Sequence, residues 1–148
     1  MTKDYCILED DLKLVCFEAK TFPDGVQEAF KVLNETLPEC RSRTLFGISF
    51  PGKNGKIVYK AAATESSEGE AENLGRENFI VRGGTYISTY IADFMRDESR
   101  IGKAFRELLA DPRIDPNGCC LEMYVNGKDV RCMVRLDTKE ADNETEAL

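Results

Sequence analysis

Histidine and tryptophan are missing altogether from the 148 residues. Without histidine the chain lacks the commonest zinc ligand, and its six cysteines show no C-x-x-C spacing, so no metal site is expected. No stretch approaches the roughly 20 apolar residues needed to cross a bilayer. The opening residues MTKDYCILEDD carry acids where a secretory leader would be basic and then apolar. Positive charge is also short: 20 Lys and Arg against 27 Asp and Glu leave a net charge of −7, which opposes the phosphate attraction that dominates nucleic-acid affinity. These shortages predict a cytoplasmic chain with no cofactor, no membrane association and no direct nucleic-acid partner. Protein partners and homodimerisation are left open. The cysteines (6, 16, 40, 119, 120 and 132) are expected as reduced thiols, because several sit in apolar strand patterns and a chain of this length does not need a disulfide scaffold. The vicinal pair Cys119 and Cys120 points to opposite faces of any strand, which makes it a weak redox candidate.

What is present is an ordinary globular mixture, 42% hydrophobic and 32% charged, sized for one domain over residues 1–137. Residues 12–62 align on residues 87–137 at a constant offset of 75, superposing EAFKVLNE on KAFRELLA and SFPGK on YVNGK. Val26, Ala29, Phe30 and Leu33 form one helical stripe, and Ile101, Ala104, Phe105 and Leu108 repeat it. A strand-like run precedes each helix and a hairpin with a glycine-containing turn follows it. The expected fold is therefore α+β, a duplicated β-α-β-β unit. The acidic segment 64–76 reads as a solvated, mobile connection, and residues 138–148 as a disordered tail.

Alternation along a strand places Leu121, Met123 and Val125 on one face and Cys120, Glu122 and Tyr124 on the other. The counterparts Phe46, Ile48 and Phe50 are uniformly large and apolar, which predicts that their face meets the helix and that Glu122 looks the other way. By the same parity Tyr86, Ser88, Tyr90 and Met133 share a face, with Val15, Phe17 and Val58 as contributors from the first copy. The expected lining is thus Glu122, Tyr86, Tyr90, Tyr124, Met133, Phe17 and Ser88, apolar and aromatic with one charge, as in a small-molecule pocket. The duller alternative is an ion pair of Glu122 with Arg135 or Lys60 at the surface.

Three segments, FIVRGGTYIS, IGKAFRELLADPRID and CLEMYV with VRCMVRLD, resemble the effector-binding domain of bacterial multidrug-responsive and AraC-type transcription activators, the GyrI-like small-molecule-binding domain. The resemblance implies two β-α-β-β units forming a curved antiparallel sheet around a ligand cleft, with helices on the outer face. It also implies a glutamate, by position Glu122, that contacts lipophilic cations among aromatic residues matching Tyr86, Tyr90 and Tyr124. Two departures are plain: no helix-turn-helix precedes residue 12, and the tryptophan often near the family glutamate is absent. The leading expectation is accordingly a stand-alone sensor or sequestering module for an amphipathic, cationic or aromatic small molecule. Two alternatives follow from the same resemblance. One is a hydrolase of electrophilic, xenobiotic-type substrates using Glu122 and Tyr124 as an acid–base pair; the other is a protein-interaction module of the topoisomerase-inhibitor type.

Overall fold

The computed structural model describes residues 3–137; the expected tail 138–148 lies outside the described residues. Strands β1 (Lys3–Leu8), β2 (Leu12–Glu18), β3 (Leu45–Pro51), β4 (Ile57–Thr64), β5 (Glu77–Val81), β6 (Gly84–Ile91), β7 (Cys120–Val125) and β8 (Asp129–Arg135) alternate with helices α1 (Val26–Thr36), α2 (Glu70–Asn73) and α3 (Ser99–Leu109). The fold is α+β, and its strand pairs are antiparallel.

Two compact units arise, one from Asp11–Val81, the other from residues up to Asp10 together with those from Arg82 onward. In the first, β3, β4, β2 and β5 pair in that order. In the second the order is β7, β8, β6 and β1. Each repeat therefore keeps the predicted β-α-β-β order, and the added edge strand is exchanged: β1, which precedes the first repeat, pairs with β6 of the second, while β5 pairs with β2 of the first. Pairing of this kind satisfies backbone groups across segments far apart in sequence, so no local pattern announces it.

Helix phase follows the predicted stripe. Ala29 and Leu33 are buried under α1 with Val15, Ala61 and Ala63. Ala104, Phe105 and Leu108 are buried under α3 with Ile87, Ile91, Val130 and Val134. Phe105 is buried whereas its counterpart Phe30 is only partly so, its ring set edge-on against Tyr59 at 6.2 Å between centroids.

The predicted face of the sheet is reversed. Leu45, Gly47, Ser49, Tyr59, Ala61 and Ala63 share the α1 face, and Phe46, Ile48 and Phe50 lie on the other. Phe46, Ile48 and Leu14 are nonetheless fully buried. With both faces covered, side-chain size stops reporting which face the helix occupies. The α1 face is the one with small residues, since Gly47, Ala61 and Ala63 leave room for the side chains of the helix. The offset of 75 also breaks in the leading strand. It maps Val15, on the α1 face, onto Tyr90, which faces away from α3.

The acidic segment is more ordered than its composition suggests. Glu70 accepts from Arg43 Nη1 and Nη2 at 2.5 and 2.9 Å and from the Ser66 amide and hydroxyl at 3.0 Å each. Ala71, buried against β2 and β5, donates its amide to Glu65 at 3.0 Å. Arg43 also reaches the carbonyls of Thr64 (3.2 Å) and Pro38 (2.9 Å). A single guanidinium thus ties three chain segments, and its hydrogen bonds to Glu70 hold that carboxyl down at about 2.

Candidate functional site

The β7–β8 hairpin turns at Asn126 and Gly127, whose φ of 56° and 72° are the left-handed values that Asn-Gly supplies most cheaply. From that turn the register runs Tyr124 opposite Val130, Glu122 opposite Cys132 and Cys120 opposite Val134, and this set faces α3. Leu121, Met123 and Val125 face away from α3, opposite to expectation; Leu121 and Glu122, on opposite faces of β7, are both buried, so burial does not mark the helix side.

Glu122 is 8% exposed on a largely apolar face. Tyr124 donates its hydroxyl to Glu122 Oε1 at 2.5 Å, and its ring packs on Phe94 at 5.3 Å with a 58° tilt. Across the sheet the row continues from Glu122 to Cys132 and on to Thr89. Burial first, then the charge of Glu122, pushes the Cys132 thiol up to about 12, so that sulfur stays protonated. Thr89 Oγ1 is buried with no hydrogen-bond partner among the described residues.

The remaining predicted lining is split from this group. Tyr86, Ser88, Tyr90 and Met133 do share one face, but it is the face turned away from α3, so they do not converge with Glu122 and Tyr124. Tyr86 is buried and donates its hydroxyl to the Arg82 carbonyl at 2.6 Å. Ser88 accepts from Arg131 Nη1 at 3.0 Å, and Met133 is fully buried. Tyr90 is 42% exposed and donates to Asp129 Oδ2 at 2.6 Å, with the Arg131 guanidinium 5.1 Å from its ring centroid. Phe17 and Val15 lie on the α1 face of the other unit, where the Arg76 guanidinium covers the Phe17 ring at 5.2 Å, and Val58 lies on the opposite face.

The two cations weighed as surface partners of Glu122 are engaged elsewhere. Arg135 donates to the Gly83 carbonyl at 3.0 and 3.1 Å and to Asp115 at 3.3 Å. Lys60 pairs with Glu77 at 2.8 Å, its ammonium lying 5.6 and 5.9 Å from the Phe50 and Phe79 ring centroids. Sequence reasoning missed Phe94. Its signal was an aromatic residue between the end of β6 and the start of α3, but the partner ring is 30 positions away on β7.

All six cysteines are free. Among the described residues no cluster of three or more histidine, cysteine, aspartate or glutamate side chains is placed to hold a metal ion. No helix among them is long and apolar enough to cross a membrane.

No family model and no curated protein matches the chain. Solved structures do. SAV2435 bound to tetraphenylphosphonium superposes with a TM-score of 0.63 at 12% identity, covering 95% of this chain and 96% of the other. An integron cassette protein from the mobile metagenome of Vibrio cholerae gives 0.62 at 10% identity over 91% and 95%. A hydrolase from Listeria innocua gives 0.55 at 9% identity, over 91% of each chain. At such identities these likenesses establish the fold: the chain shares the α+β architecture of those proteins along nearly its whole length.

Proposed function

We propose that this protein binds an amphipathic small molecule, cationic or aromatic in character, in the manner of a GyrI-like effector-binding domain. The observation that carries this reading is Glu122, a nearly buried carboxylate held by the Tyr124 hydroxyl on the largely apolar sheet face turned toward α3. A bound organic cation would be attracted by this carboxylate while the Tyr124 and Phe94 rings supply aromatic contact. The fold is shared with a protein whose structure contains tetraphenylphosphonium, which supports the ligand class. Tyr86, Ser88, Tyr90 and Met133, turned away from α3, are not part of the proposed Glu122 contact surface.

Calorimetry with tetraphenylphosphonium at low salt tests the charge selection. Glu122→Gln keeps the shape and an acceptor for Tyr124, and should weaken binding at least about tenfold, or 1.4 kcal/mol. A neutral compound of similar shape should be indifferent to the change. Equal affinity of wild type and variant for the cation would end the proposal.

The Tyr124–Glu122 hydrogen bond also favours a second reading, hydrolysis of an electrophilic substrate. In it the carboxylate takes a proton from water and the phenol, once relieved of that bond, donates to the leaving oxygen. Likeness to the Listeria innocua protein supports it at the level of fold. Turnover of a panel of activated esters that collapses in both Glu122→Gln and Tyr124→Phe, with cation affinity retained, would select this reading over binding alone.

A further inference from the structure

We infer that Phe94 is a positioning residue, anchored by the β7–β8 turn, that sets the Tyr124 hydroxyl on the Glu122 carboxylate. The inference rests on the reading of Glu122 and Tyr124 as the site. Strand β6 ends at Ile91 and the chain reverses at Asp93, whose φ of 53° is a left-handed value disfavoured for a residue other than glycine. The conformation is held from outside the segment. The Asp93 amide donates to Asp129 Oδ1 at 2.8 Å, and the next amide, that of Phe94, donates to the Lys128 carbonyl at 3.0 Å. The second oxygen of Asp129 accepts from Tyr90 at 2.6 Å, so one carboxylate clamps the end of β6 and the bend that follows it.

That clamp fixes where Phe94 goes. Its amide is tied to the residue after the Asn126–Gly127 turn, and its ring reaches back along the hairpin to Tyr124, three residues before Gly127. The tilted contact at 5.3 Å limits rotation of the Tyr124 ring about its own strand, and that rotation governs whether the hydroxyl lies over Glu122 Oε1. Tyr90 has a role here as well: it belongs to the clamp, on the face opposite Glu122.

The test follows the carbon signal of the Glu122 carboxyl by NMR in protein labelled at glutamate, assigned through its loss in Glu122→Gln. Tyr124→Phe removes the hydroxyl and sets the displacement of the signal expected when that bond is lost. Phe94→Ala should move the signal in the same direction by the larger part of that displacement, and Phe94→Tyr, which keeps the ring, should leave it near the wild-type position. Asp129→Asn, which weakens the clamp without touching either ring, should move it the same way by a smaller amount. A Phe94→Ala spectrum with the Glu122 signal unmoved, or a Tyr124→Phe spectrum that does not differ from wild type, would overturn the inference. Tetraphenylphosphonium titrations of the same variants separate this from the functional reading. If Glu122→Gln leaves affinity unchanged while Phe94→Ala still moves the carboxyl signal, the binding proposal falls and the positioning role stands.

Discussion

Removing the Glu70 charge should unfasten the whole segment between β4 and β5, and acid should do the same to the wild type. Glu70 and Arg43 side chains are 11% and 8% exposed, so their ion pair is shielded from water and salt. Arg43 is the largest cause of the lowered Glu70 carboxyl, which is brought from an ordinary 4.5 to about 2. A difference of that size corresponds to about 3 kcal/mol favouring the charged form in the folded state. Because the folded value lies below the unfolded one, this contribution is fully present above about pH 4.5 and is lost as pH falls toward 2. Glu70→Gln leaves Arg43 buried without its counter-charge, a change that typically costs about 3–5 kcal/mol. Urea melts at pH 7 and at a series of lower pH values should show the wild type ahead at pH 7, with its lead over the variant shrinking as Glu70 protonates. Asp111, also held near 2 by Arg113, titrates in the same window in both proteins and cancels in the difference. Hydrogen exchange gives a local readout, with the amide of Arg76, bonded to the Ala71 carbonyl at 2.8 Å, losing protection in the variant. A loss below about 1 kcal/mol at pH 7 with a pH-independent difference would refute the reasoning, since that is the behaviour of a surface pair.

Phe105→Ala should cost about 3–5 kcal/mol in urea melts, and Phe30→Ala distinctly less because its ring is only partly buried; equal losses would contradict the difference in packing. Thiol counting should find six free cysteines in denaturant. In the native protein at pH 8, Cys16, Cys119 and Cys132 should resist alkylation, because burial pushes each thiol up to about 12, and rapid labelling of Cys132 would show α3 opening. Gly84→Ala should destabilise by about 1–3 kcal/mol, since φ is 137° and the new Cβ would lie 3.0 Å from the Arg135 guanidinium, and a neutral effect by thermal melting would show that β6 can begin in another conformation.

Several features of this protein are properties of single elements, and these were legible from the chain alone. The α1 and α3 stripes, the Asn126–Gly127 turn, and the placement of Glu122 with Tyr124 on one side of β7 follow from the 3.6-residue and two-residue periods of the backbone. The β-α-β-β repeat was legible for the same reason, as matched phase in helix and hairpin. Which face of each strand meets the helix was not. Phe46 and Gly47 alternate as any strand would, and both faces of β3 are buried, so only the packing partners decide that the smaller residue lies under α1. Long-range hydrogen bonds decided the rest. The exchange of β1 and β5 joins segments that no local rule connects. Arg43 orders Glu70 across 27 residues, turning an acidic stretch expected to be mobile into a pinned turn of helix. Asp129 holds Tyr90 across 39, drawing a tyrosine expected in the site into a clamp on the other face. Periodicity is written into each element by its backbone geometry, whereas the burial of a face and the partner of a charge depend on which distant segments the folded chain brings against it.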